Sequence, residues 1–159
     1  MENLAKEWLT MRLKNSSTFD TALLREVVRF AKPAGVSGFD LEVKPLHYRA
    51  GYAGVMGRAY WGGCASHCSA DPLVVVRISS GAEYPSYSLP GRGGYLPALF
   101  LSRDEEVLCV IAHELRHLWQ AKHQKGWRVW GARGQFSERD ADAYAIRKVR
   151  EWRKIKRGG

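Results

Sequence analysis

The run Ala112-His113-Glu114-Leu115-Arg116-His117-Leu118-Trp119-Gln120 sets two histidines four residues apart, with a glutamate directly after the first. On an α-helix that spacing points both imidazoles the same way, so both can reach one metal ion while Glu114 polarises a water beside it. The chemistry this predicts is zinc-dependent hydrolysis. The flanking residues predict the helix: at about 100° per residue Val107, Leu108, Ile111, Leu115 and Leu118 share one face, and His113 and His117 fall on the other side. Ser102 and Glu105 form a capping box at its start, and Gly126 follows an expected end near His123 or Gln124.

A catalytic zinc needs a third protein ligand and an open position for water. Downstream, Ser137-Glu138-Arg139-Asp140-Ala141-Asp142-Ala143-Tyr144-Ala145 opens a second helix, with Ser137 as the expected N-cap. Its buried stripe is expected to be Ala141, Ala145, Val149 and Trp152, with Glu138 and Asp142 on or beside it. A carboxylate facing a core is costly unless it is paired or binds metal. Glu138 as ligand and Asp142 as acceptor for a histidine N–H would satisfy both. The alternative is a Glu138 favoured by the helix dipole and an Asp142 paired to an arginine.

The pattern His113-Glu114-x-x-His117, about twenty residues, then Glu138-x-x-Ala141-Asp142-x-Tyr144-Ala145 resembles the gluzincin metallopeptidases. Among them it is similar to small intracellular forms such as the minigluzincins and the ImmA/IrrE-like domains. The resemblance covers roughly residues 104 to 150, and the earlier residues match only in a helix-then-strands order. It implies zinc held by His113, His117 and Glu138, Glu114 as general base, and Asp142 orienting a histidine. Oxyanion help is open between Tyr144, His123 and a loop tyrosine.

Rival ligands are weaker. His123 stands six residues after His117, where metzincins place their last histidine, but Gln120 occupies their glycine position, and Met1, Met11 and Met56 all precede the motif. About 200° of helix separates Asp140 from Glu138. SprT-like proteases share the order Gly57-Arg58-Ala59, Leu73 to Ser79, motif helix, yet need a more distant histidine, and none follows His123.

Other elements must position these residues. Asp20 caps an expected helix with Leu23, Leu24, Val27, Val28 and Ala31 on one face, ending before Pro33. Phe39 to Lys44 alternates as a half-buried strand; Tyr52 to Trp61 and Leu73 to Ile78 are further strands, and Leu4 to Leu13 a short amphipathic segment. Ser79 to Pro97, rich in Gly, Pro and Tyr, reads as a long irregular connection that binds substrate, covers the cleft, or packs its tyrosines locally. Lys125 to Gln135, with Trp127 and Trp130, reads as a second loop. Together these predict one α+β, zincin-like domain over residues 1–159: a small twisted mixed sheet packed on the motif helix and a C-terminal helix. Leu73 to Ser79 is the expected edge that holds a peptide backbone by β-augmentation.

Length and composition agree. The chain has 159 residues, 45% of them hydrophobic and 26% charged, enough for one sizeable core. No stretch approaches a membrane span and no apolar leader opens the chain, which predicts a cytoplasmic protein without membrane contact. Three cysteines argue against a disulfide framework. Cys64, His67 and Cys68 form a metal half-site lacking a second pair. The net charge of +9 gathers late, at Arg147, Lys148, Arg150, Arg153, Lys154, Lys156 and Arg157, with 154–159 expected as a flexible basic tail. Such a run suits nucleic acid or an acidic partner, or is a solvated helix face. The expected activity is thus zinc-dependent hydrolysis of a peptide or protein substrate. The alternatives are a SprT-like DNA-associated protease and a regulatory zinc-binding module that cleaves one partner or none.

Overall fold

The computed structural model describes residues 11–46, 54–60, 71–88, 96–123 and 135–158. Along the chain run β1 (Leu13–Asn15), α1 (Thr21–Ala31), β2 (Asp40–Pro45), β3 (Val55–Tyr60), β4 (Leu73–Ile78), β5 (Ser86–Ser88), β6 (Ala98–Phe100), α2 (Arg103–His123) and α3 (Gln135–Gly158). The architecture is α+β, with a small mixed sheet and, among the described residues, three helices.

The four-stranded sheet has the order β1-β2-β4-β3. β1 pairs parallel with β2 and β2 with β4, whereas β3 runs antiparallel to β4. β2 and β4 are the interior strands, and the Leu-Val-Val-Val run of β4 suits burial on both faces. The expected edge at Leu73 to Ser79 is therefore corrected: among the described residues, the sheet edge beside the motif helix is β3. Pairing order depends on partners distant in sequence, which a strand's own composition does not encode. In the register, Leu41, Val74 and Ala59 line up across three strands, as do Val43, Val76 and Gly57. This face receives α2.

Helix α1 forms as its pattern predicts. Asp20 accepts from the Leu23 N–H at 2.8 Å, Leu24, Val27, Val28 and Ala31 are buried, and the helix stops before Pro33. In α2, Ser102 Oγ accepts from the Glu105 N–H at 3.4 Å, while the Glu105 carboxylate reaches back to the Leu101 N–H at 2.7 Å. Val107, Leu108, Ile111, Leu115 and Leu118 enter the core. The opposite side is covered too, because α3 packs along it with Ala141, Ala145, Val149 and Trp152 buried. Trp152 meets Phe30 of α1 edge-on at 5.3 Å between ring centroids.

Three expectations change here. Ser137 is not the cap of α3: the helix begins at Gln135, and Ser137 is fully enclosed within its first turn. The basic segment after Arg153 is helical, since α3 continues through Gly158. The connection after Ser79 is partly regular, with β5 and β6 pairing as Ser86↔Phe100 to Ser88↔Ala98. Most of the Leu4 to Leu13 segment, Cys64, His67, Cys68 and the loop holding Trp127 and Trp130 lie outside the described residues. No helix among the described residues is long and apolar enough to cross a membrane.

Candidate metal centre

Helix α2 supplies two imidazoles and α3 one carboxylate. His113 and His117 bring their Nε2 atoms to 3.0 Å of each other, with the rings nearly perpendicular. Glu138, in the first turn of α3, closes the triangle: Oε2 lies 3.0 Å from His113 Nε2 and Oε1 3.4 Å from His117 Nε2. Among the described residues this is the group whose atoms could hold a metal ion, all within 4.8 Å of one another.

The donor set fits zinc. Bonds of about 2.0–2.1 Å in a tetrahedral site set ligand atoms roughly 3.3 Å apart, which matches the spacings here, and two imidazoles with one carboxylate leave the fourth position open. Glu138 Oε2 is buried and, despite its closeness to His113, makes no hydrogen bond. A buried carboxylate oxygen left so is costly unless a cation meets it.

The charges favour a cation at this point. Burial works against ionising Glu138, but His113 and His117 outweigh it and hold its pKa down at about 2. Burial likewise opposes a charged His113 ring, yet the carboxylates of Asp142 and then Glu138 beside it prevail and raise its pKa to about 10. Asp142 Oδ1 lies 2.6 Å from His113 Nδ1, so that nitrogen carries a proton whether the ring is charged or neutral, and Nε2 faces Glu138. The other oxygen, Oδ2, accepts the Leu96 N–H at 2.8 Å.

Glu114 is 8% exposed and lines a cleft of about 650 Å³ together with His113 and Asp142. Burial pushes its pKa up; His113 and His117 pull it down, Glu138 raises it, and the Ala59 N–H donates to its carboxylate and lowers it. Two turns earlier Glu106, also on the cleft, accepts the Val55 N–H. Eight helical residues rise about 12 Å and four strand residues about 13 Å, so the two carboxylates match two outward N–H groups of the β3 edge. The Gly54 carbonyl turns inward to the Ser79 N–H. By the two-residue period of a strand, the N–H and C=O of Gly57 therefore face out with those of Val55 and Ala59. The far wall of the cleft is Ser86, Tyr87 and Ser88 of β5 with Ala98 and Phe100 of β6.

The remaining expected residues are placed elsewhere. Tyr144 donates its hydroxyl to the Ala31 carbonyl at 2.6 Å, between α3 and α1, and does not line the cleft. His123 stacks on Trp119 at 4.8 Å, with Nδ1 3.0 Å from the Trp119 carbonyl oxygen, at the exposed end of α2. Neither side chain lines the cleft. Asp140 takes two hydrogen bonds from Arg116, at 2.8 and 3.2 Å. Cys109 lines the cleft, but burial, then the charges of Asp142 and Glu106, raises its pKa to about 12, so it stays a thiol. The residue that sequence reasoning passed over is Gln120, whose Oε1 lies 2.9 Å from His117 Nδ1. Its signal was a polar residue three positions after His117, hence a neighbour on the same helix face. No protein-family model matches the chain, and neither a curated protein nor a solved structure shows significant similarity to it.

Proposed function

We propose that the chain is a zinc-dependent metallopeptidase with a zincin-like, gluzincin-type site, held by His113, His117 and Glu138. The observation that supports this best is the convergence of two imidazole nitrogens and a buried carboxylate on one point, with Glu138 Oε2 lacking any hydrogen-bond partner. Zinc bound there would polarise a scissile carbonyl and acidify a water. The residues around it supply the rest. Glu114, at the cleft wall, takes a proton from the attacking water and passes it to the leaving amine; burial, which raises its affinity for protons, suits both steps. Asp142 fixes the His113 tautomer. The outward N–H and C=O of Gly57 offer an extended peptide a place to pair, between β3 and the β5–β6 wall.

The experiment is metal analysis of purified variants. About one zinc per chain is expected, lost on His113→Ala, His117→Ala or Glu138→Ala and kept on His123→Ala. Loss of zinc by the His123 variant with retention by the Glu138 variant would overturn the ligand set.

A second reading concerns the basic helix. Because α3 runs unbroken to Gly158, Arg150, Lys154 and Arg157 fall at i, i+4 and i+7 on one exposed face. That face supports contact with a polyanion such as nucleic acid, as in a DNA-associated protease.

A further inference from the structure

Gln120 is a buried polar side chain, 5% exposed, that the proposed reaction does not use. It sits one turn after His117 and meets three groups. Its Oε1 is 2.9 Å from His117 Nδ1, and its Nε2 donates to the Ser137 carbonyl oxygen at 2.9 Å and to Asp140 Oδ2 at 2.9 Å. The last two can only accept. Arg116 donates to both oxygens of Asp140, at 2.8 and 3.2 Å, which keeps that carboxylate an acceptor. Both amide hydrogens are therefore committed to acceptors, and a flipped amide would face two oxygens with a third. The orientation is fixed by this network. The amide oxygen consequently faces His117, where it can only accept.

An accepting neighbour at Nδ1 places the His117 proton there and leaves the lone pair on Nε2, the nitrogen turned toward His113 and Glu138. We propose that Gln120 is a positioning residue that sets the tautomer and ring orientation of His117 as a metal ligand. The Arg116–Asp140 pair is the brace that keeps its amide from turning. The proposal rests on the metal-centre reading above. The two histidines are thus held by unlike partners, His113 by a carboxylate and His117 by a neutral amide. Arg116 is itself fixed, with its guanidinium carbon 3.7 Å from the centre of the Trp119 ring.

Two variants and two readouts test this. Gln120→Met keeps the length of the side chain but offers His117 no oxygen. Asp140→Asn, at a half-exposed position, releases the amide without touching a ligand. Zinc affinity should fall about 10–100-fold in Gln120→Met, and in the same direction but less in Asp140→Asn. By ¹H–¹⁵N NMR of the neutral ring, His117 should carry its proton on Nδ1 in the wild type and shift toward Nε2 in Gln120→Met. A purely structural role would lower stability without moving the tautomer. Zinc held by a folded Gln120→Met within about twofold of wild type overturns the proposal, as does an unchanged tautomer. A wild type that binds no zinc overturns the metal-centre reading instead, and the tautomer of the metal-free chain then decides on Gln120 alone.

Discussion

Gly57 and Glu114 lie so close that no side chain fits between them: a Cβ on Gly57 would stand 2.8 Å from Glu114 Cγ and 2.5 Å from Val110 Cγ1. Both contacts are with α2 near its branch points, not with the far end of a flexible chain. Gly57→Ala should therefore push β3 and α2 apart, at a cost of about 1–3 kcal/mol in unfolding free energy, and should lower peptidase turnover as Glu114 moves. Urea unfolding with a parallel peptide assay checks this. Unchanged stability and turnover would show that the strand yields freely there.

Chemistry separates from metal binding at Glu114. Glu114→Gln keeps the shape of the side chain, but its amide cannot take a proton from water. Peptide hydrolysis should drop roughly a hundredfold or more, while zinc content stays at the wild-type level. Equal turnover in a zinc-loaded Glu114→Gln protein would remove Glu114 as the base.

The pair Glu105–Arg153 makes a prediction about acid. Arg153 donates to both Glu105 oxygens, at 2.8 and 2.7 Å, and also to the Leu99 carbonyl, tying α3 to the start of α2 and to β6. Burial by itself would raise the Glu105 pKa, but Arg153 and the Leu101 N–H prevail and lower it from the ordinary 4.5. A depressed folded-state value means that the unfolded chain binds this proton more readily. The stabilisation is then present above about 4.5 and is lost as pH falls through the folded value. Arg153→Met should cost about 1–3 kcal/mol at neutral pH, and the gap to wild type should narrow in acid. A gap that stays constant would mean that the arginine acts by packing alone.

Beyond Arg153 the helix carries less of the fold. Deleting Lys154 to Gly159 removes the exposed Lys156–Glu26 pair, at 3.1 Å, and little else that is enclosed. Stability should change by less than about 1 kcal/mol, with zinc content and turnover nearly intact. If the basic face binds nucleic acid, filter binding by the full chain should weaken steeply with salt, and the truncated chain should bind less. Salt-insensitive or absent binding by the full chain would remove nucleic acid as a partner.

What the sequence made legible follows the range of the interactions. Asp20, the apolar faces of α1 and α2, and the stripe Ala141, Ala145, Val149, Trp152 are local patterns with a fixed period, and the helices form on them. β1 escaped notice because Leu-Lys-Asn is three residues long and becomes a strand only through β2, about thirty residues away. Arg153 looked solvated in a run of cations because its partner, Glu105, is distant in sequence. Ser137 resembled a cap by type, yet α3 starts two residues earlier. The placement of Tyr144 depended on a distant partner, Ala31 of α1, whereas His123 folds back on Trp119 one turn earlier in its own helix.

Asp142 holds the ring of His113 with one oxygen and the chain at Leu96 with the other. One carboxylate thus anchors both the His113 ring and the segment that enters β6. The other end of that connection is fixed separately, where Ser88 pairs with Ala98. A change in β6 that moved the Leu96 amide would thus be felt at the His113 ring, through a single carboxylate.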